Sequence, residues 1–177
     1  MNSAEESQAR LQAIRVEITP KLNEAFDHME RDDPGGAAQV LLQAVEPSVG
    51  HLVAALSLLA ASSAALLQDA IPINKDNGDY YGFMGFDPDA YATVDLSEPM
   101  TWSARYLTSA CNLDAEQAWA LTSAMLDTND EDFMIQCLLS LFVQAWHVHT
   151  GHTSPIDLQL GSKTMKGLAI TPRDTEN

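Results

Sequence analysis

The sequence predicts an all-α fold: a single compact, bundle-like domain of about six to seven helices. Three observations carry that reading. The chain has 177 residues, 46% hydrophobic and 19% charged, which suits one globular domain. Apolar residues recur at spacings of three and four through most of it, as one face of a helix requires. Capping patterns also stand at the breaks between those stretches. A chain of this length buries roughly two thirds of its unfolded surface, so it needs no disulfide or metal to fold. Cys111 and Cys137 lie far apart without a Cys-x-x-Cys spacing, so no disulfide or zinc framework is expected.

The first helix carries Leu11, Ile14, Ile18, Leu22, Phe26 and Met29 on one face, with Ser3 and Glu6 as a capping-box start. Pro20 removes an interior hydrogen bond, so a kink is expected there, or a restart capped by Thr19. Asp33-Pro34 reads as N-cap and first helical residue of a second helix, whose stripe is Ala37, Val40, Leu41, Ala44 and Val45. Pro47 opens a third, with a broad face of Val49, Leu52, Val53, Leu56, Leu59, Leu66 and Leu67. Val49 to Ala70 could reach about 33 Å, the thickness of a bilayer core. Ser57, Ser62, Ser63, His51 and Gln68 interrupt it, and no Lys or Arg cluster flanks it. A helix buried in a protein core is therefore expected, not a membrane span.

From about 71 to 97 the helical pattern fails. Pro72, Asn77-Gly78, Gly82, Gly85 and Pro88 mark a long irregular insertion, with a tight turn at Asn77-Gly78 and a short helix from Asp87-Pro88 to about Val94. Ser97 with Pro99 then starts a helix containing Met100, Tyr106, Leu107 and Cys111. Asp114 with Gln117 caps another, carrying Leu121, Met125 and Leu126. Thr128 with Glu131 caps the last, from about Asn129 to His149, ending at Gly151. Its stripe is Met134, Leu138, Leu141, Phe142, Ala145 and Trp146. The helical domain is expected to cover 1–152, and 153–177 to form an irregular C-terminal arm with one short strand.

Charge narrows the function. Acids outnumber bases 25 to 9, for a formal charge of −16. That argues against a nucleic-acid or anionic-membrane binder, both of which need a basic face. Met1 to Gln12 carries Glu5 and Glu6 and lacks an apolar core, so no secretory signal is read and the cytoplasm is the expected compartment. Between Asp76 and Ile135 there are 12 acids and one base, Arg105. The insertion interleaves Asp76, Asp79, Asp87, Asp89 and Asp95 with Tyr80, Tyr81, Phe83, Phe86 and Tyr91. Carboxylates attract a basic partner through the field of the whole protein, and aromatics supply contact area at low entropic loss. Solubility and loop anchoring account for the same residues more plainly. The interaction reading is a non-enzymatic helical protein that binds a basic protein, as an inhibitor or nucleic-acid mimic. Its contact residues are Asp76, Asp79, Tyr80, Tyr81, Asp87, Asp89 and Asp95. No cofactor is expected.

The alternatives are a small metal-dependent helical hydrolase and a homo-oligomeric structural subunit. Glu24, Asp27 and His28 would serve the hydrolase, since Glu24 and His28 stand one helical turn apart, but a phosphate-bound divalent ion needs a second acid pair facing the first. His147 and His149 lie about 200° apart on a helix, so His149 and His152 could share a metal only if the helix frayed. Neither Asn77-Gly78-Asp79 nor Asp127 to Glu131 completes a calcium loop. No phosphate loop, nucleophile elbow or His-Glu-x-x-His motif is present. Cys137 lies inside an apolar helix, where a thiol is expected to be inert.

Overall fold

The computed structural model describes residues 3–70, 72, 81–83, 98–151 and 158–160. Among them are six helices and one short strand pair: α1 (Ser3–Glu30), α2 (Pro34–Val45), α3 (Val49–Ala70), β1 (Tyr81–Phe83), α4 (Pro99–Asn112), α5 (Ala115–Asp127), α6 (Glu131–His149) and β2 (Leu158–Leu160). The fold is all-α. The chain divides within α3 into two compact units, Met1–Leu59 and Ala60–Asn177. The expected tight turn at Asn77-Gly78, the short helix from Asp87 and almost all of the C-terminal arm lie outside the described residues.

The first unit is built on the α1–α2 hairpin. Helix α1 runs through Pro20 without the restart that Thr19 was expected to cap. Pro20 leaves the Val16 carbonyl without its helical donor, and both residues are exposed, so water can reach that carbonyl. Thr19 stays helical and its hydroxyl donates back to the Arg15 carbonyl at 2.6 Å. The helix ends where Asp32 takes a left-handed φ of 58°. The N–H of Asp33 then reaches the His28 carbonyl and that of Asp32 the Met29 carbonyl, the Schellman pattern. Asp33 immediately caps α2, accepting the Gly36 N–H at 2.9 Å, with Pro34 in the first turn. Ile14, Ile18, Leu22 and Ala25 of α1 are buried, as are Ala37, Leu41 and Ala44 of α2.

Helix α3 starts at Val49, two residues after Pro47, with the Ser48 carbonyl accepting from the His51 and Leu52 N–H groups. In the first unit it buries Leu52, Ala54, Ala55, Leu56 and Leu59. Beyond the boundary the buried face is Ala60, Ser63 and Ala64, whereas Leu66 is exposed, so the expected leucine stripe does not continue. This helix is long and apolar enough to cross a membrane, yet 44% of its apolar window is buried within the protein.

In the second unit α4 is the central helix, packed against α5, α6 and β1. Trp102, Ser103, Ala104, Tyr106, Leu107, Thr108, Ser109 and Cys111 are all buried, which leaves it almost no solvent face. Its N-cap is Glu98, not Ser97, and the Glu98 side chain makes no capping bond; Pro99, needing no donor partner, takes the first helical position. Trp102 and Tyr106 stack with centroids 4.9 Å apart, and the Trp102 indole donates to the Leu121 carbonyl of α5 at 3.0 Å. Gln144 of α6 donates to the Ser103 hydroxyl at 2.7 Å inside the α4–α6 contact. Helix α6 begins two residues later than the Thr128 cap implied. Asn129 adopts φ 54° and ends α5, so Thr128 becomes a C-cap and Asp130 the N-cap, accepting the Phe133 N–H at 3.0 Å. β1 pairs antiparallel with β2, Gly82 opposite Gln159.

Candidate interaction surface

Of the seven residues expected to contact a partner, Asp76, Asp79, Tyr80, Asp87, Asp89 and Asp95 lie outside the described residues. Tyr81 is described and corrects the expectation: it is 1% exposed. Its N–H donates to the Asn112 carboxamide oxygen at 2.9 Å, and the Asn112 NH₂ returns to the Tyr81 carbonyl at 2.9 Å. This reciprocal pair fastens β1 to the end of α4. Burial, and secondarily Cys111 beside it, pushes the phenol up to about 12. Tyr81 is thus packed in the core of the second unit and not presented on its surface.

The described acids between Glu98 and Gly151 are Glu98, Asp114, Glu116, Asp127, Asp130, Glu131 and Asp132, all exposed, against one base, Arg105. Local folding explains most of them. Asp114 accepts the Gln117 N–H at 2.9 Å and Asp130 that of Phe133, both as N-caps. Glu116, Glu131 and Asp132 stand in first turns, where the helix dipole favours a carboxylate. Gln117 does not close the expected capping box; its carbonyl oxygen accepts from the Ser109 hydroxyl of α4 at 3.0 Å. Asp127 has no such role, standing at the last residue of α5. Among large apolar residues on the surface of this unit, Leu113 is 72% exposed and Trp119 64%.

Among the described residues, the candidate metal residues do not assemble. Glu24 and Asp27 are exposed on α1, while His28 turns to Asp33, Nδ1 to Oδ2 at 2.8 Å. An added Cβ at Gly36 would collide with both of those side chains, so the glycine makes room for the pair. The Gly36 N–H first, and His28 second, hold the Asp33 carboxyl below its ordinary range. His51 lies between the Ser48 hydroxyl at 2.8 Å and Glu17 at 3.4 Å. Ser48 stands just before α3 and His51 in its first turn, so the contact is the side-chain half of a helix start. His149 Nε2 is 3.3 Å from the Ser62 hydroxyl, and partial burial holds its imidazole below the usual range. His152 lies outside the described residues. Among the described residues, no three His, Cys, Asp or Glu side chains form a metal site. Both thiols are buried, and burial pushes each up to about 12; the buried thiol was expected at Cys137.

No family model matches the chain, and no curated protein or solved structure is detectably similar to it.

Proposed function

We propose that this chain is a non-enzymatic, acidic helical protein that binds a basic protein partner, as an inhibitor or by occupying the partner's nucleic-acid site. The observation that supports the reading most is the stretch from Asp76 to Ile135, with its 12 acids and one base. A surface of that sign steers a cationic partner and repels nucleic acid itself. The proposed contacts from the insertion are Asp76, Asp79, Tyr80, Asp87, Asp89 and Asp95, with Tyr81 withdrawn because it is buried.

The test is capture on the immobilised chain at low salt from a lysate of the source organism, with salt-gradient elution. A basic protein should elute with salt, and the free chain should then compete with duplex DNA for it. Reversal of three insertion charges, Asp79→Lys, Asp87→Lys and Asp95→Lys, should abolish capture with helicity unchanged. Capture that is indifferent to salt and to these reversals would overturn the proposal.

A further inference from the structure

Helix α5 presents an exposed outward face that carries a tryptophan. Leu121, Thr122 and Met125 are buried. Opposite them Glu116, Trp119, Ala120, Ala124 and Asp127 are exposed, with Ser123 half-buried among them. At 100° per residue these six positions fall within about 140° of the helix circumference. Glu116 and Asp127 lie within about 20° of one line and about 16 Å apart along the axis. Trp119 stands to one side of that line, and Ala120 and Ala124 to the other. The strip is therefore a shallow floor with a projecting indole and a carboxylate at each end. The helix has no Lys or Arg anywhere along it.

We infer that this strip is the docking surface for an arginine-bearing segment of the basic partner. The inference rests on the proposed function and names the recognition element within it. Charge complementarity selects the occupant. Two carboxylates with no basic residue on their helix favour cations, and the exposed indole face adds a preference for the planar guanidinium over the ammonium. An extended segment of about five residues spans the distance from Glu116 to Asp127. One arginine on it can then stack on Trp119 while others reach the two carboxylates. The local role of Glu116 in the first turn of α5 does not conflict with this, because its carboxylate remains exposed.

The experiment titrates the full chain at low salt with capped hexa-arginine or hexa-lysine, following tryptophan emission and acrylamide quenching. Trp102 is buried and Trp146 half-buried, so the quencher reports chiefly on Trp119. Hexa-arginine should shield Trp119 and bind about fivefold more tightly than hexa-lysine. Trp119→Ala should remove that preference, with circular dichroism unchanged because the side chain is exposed. Glu116→Lys with Asp127→Lys should weaken hexa-arginine far more than Glu46→Lys with Asp69→Lys, a control of equal charge change elsewhere. If the two charge reversals weaken binding equally, or Trp119→Ala leaves the arginine preference intact, the strip is not the site, while the acidic-surface reading survives. If neither peptide binds the folded wild-type chain at low salt, both readings fall.

Discussion

The buried bond between α4 and α6 offers the sharpest test of how the second unit is held together. The Ser103 hydroxyl accepts from Gln144 Nε2 at 2.7 Å and donates to the Met100 carbonyl at 3.0 Å, and both side chains are buried. The two partners are not equivalent. Ser103→Ala strands the Gln144 amide without its acceptor in a site closed to water, which costs about 1–3 kcal/mol. Gln144→Met keeps the length and most of the volume, and Ser103 still has the Met100 carbonyl. The loss is then only the net worth of one hydrogen bond, about 1 kcal/mol. In the double variant no polar group is stranded, so it should be more stable than Ser103→Ala alone. Urea unfolding of the four proteins closes the cycle, with an expected coupling of about 1–2 kcal/mol. In thermal melts Ser103→Ala should lie lower by about 2–4 °C for each kcal/mol lost. Effects that add to within about 0.5 kcal/mol would refute the reasoning, because they would mean that packing and not the bond carries the cost.

Three further outcomes are expected. Leu113 holds a left-handed φ of 58° at the C-cap of α4 while its side chain is largely exposed. Leu113→Gly should therefore stabilise by about 1 kcal/mol, seen as a higher urea midpoint. The Asp33 carboxyl is held below its ordinary value of 3.8 in the folded chain, chiefly by the Gly36 N–H. Its contribution is therefore complete above that value and is lost as pH falls through the lower folded one. Asp33→Asn keeps the capping oxygen and should show a shallower fall in urea midpoint between about pH 5 and about pH 3. Cys111 and Cys137 are buried, with their thiols pushed up to about 12. Neither should react with a disulfide reagent at about pH 8 until guanidinium unfolds the chain, and prompt labelling of the folded protein would contradict their burial.

The helices were legible because their start signals are local chemistry. Asp33-Pro34 and Asp114 cap α2 and α5 where the sequence places them. The errors occur where two signals compete within a few residues. Thr128 and Asp130 both qualify as N-caps, and the backbone of Asn129 decides between them by turning left-handed. Pro20 leaves a kink or a restart open, and its position on the exposed face lets α1 continue without the restart. Leu113 in a left-handed cap runs against its own preference, so no propensity argument finds it. The backbone of buried Tyr81 pairs with Asn112, 31 residues away, a pairing that periodicity cannot reveal. The exposure of Trp119 was not legible either. It stands about 160° from Leu121 but one turn before buried Thr122 and two turns before Leu126 of the expected stripe, so the spacing places it at the edge of the buried face and only the structure shows it exposed.

The described acids divide by what folding asks of them. Asp33, Asp114 and Asp130 each accept a backbone N–H that would otherwise lack a partner. Glu116, Glu131 and Asp132 stand at the positive ends of their helices. Glu46 at the C-cap of α2, Asp69 in the last turn of α3 and Asp127 at the end of α5 stand at negative ends instead, with no basic residue in those turns. A carboxylate there is typically unfavourable by about 0.3–1 kcal/mol. Stability within the helix therefore does not account for these three, and solubility or a partner must. Solubility is indifferent to where a charge lies, whereas a docking site is not. Of the three, Asp127 alone shares a helix face with a tryptophan left in solvent. That coincidence of a locally unfavourable charge and an uncovered indole is what singles out the α5 strip from the rest of a strongly acidic surface.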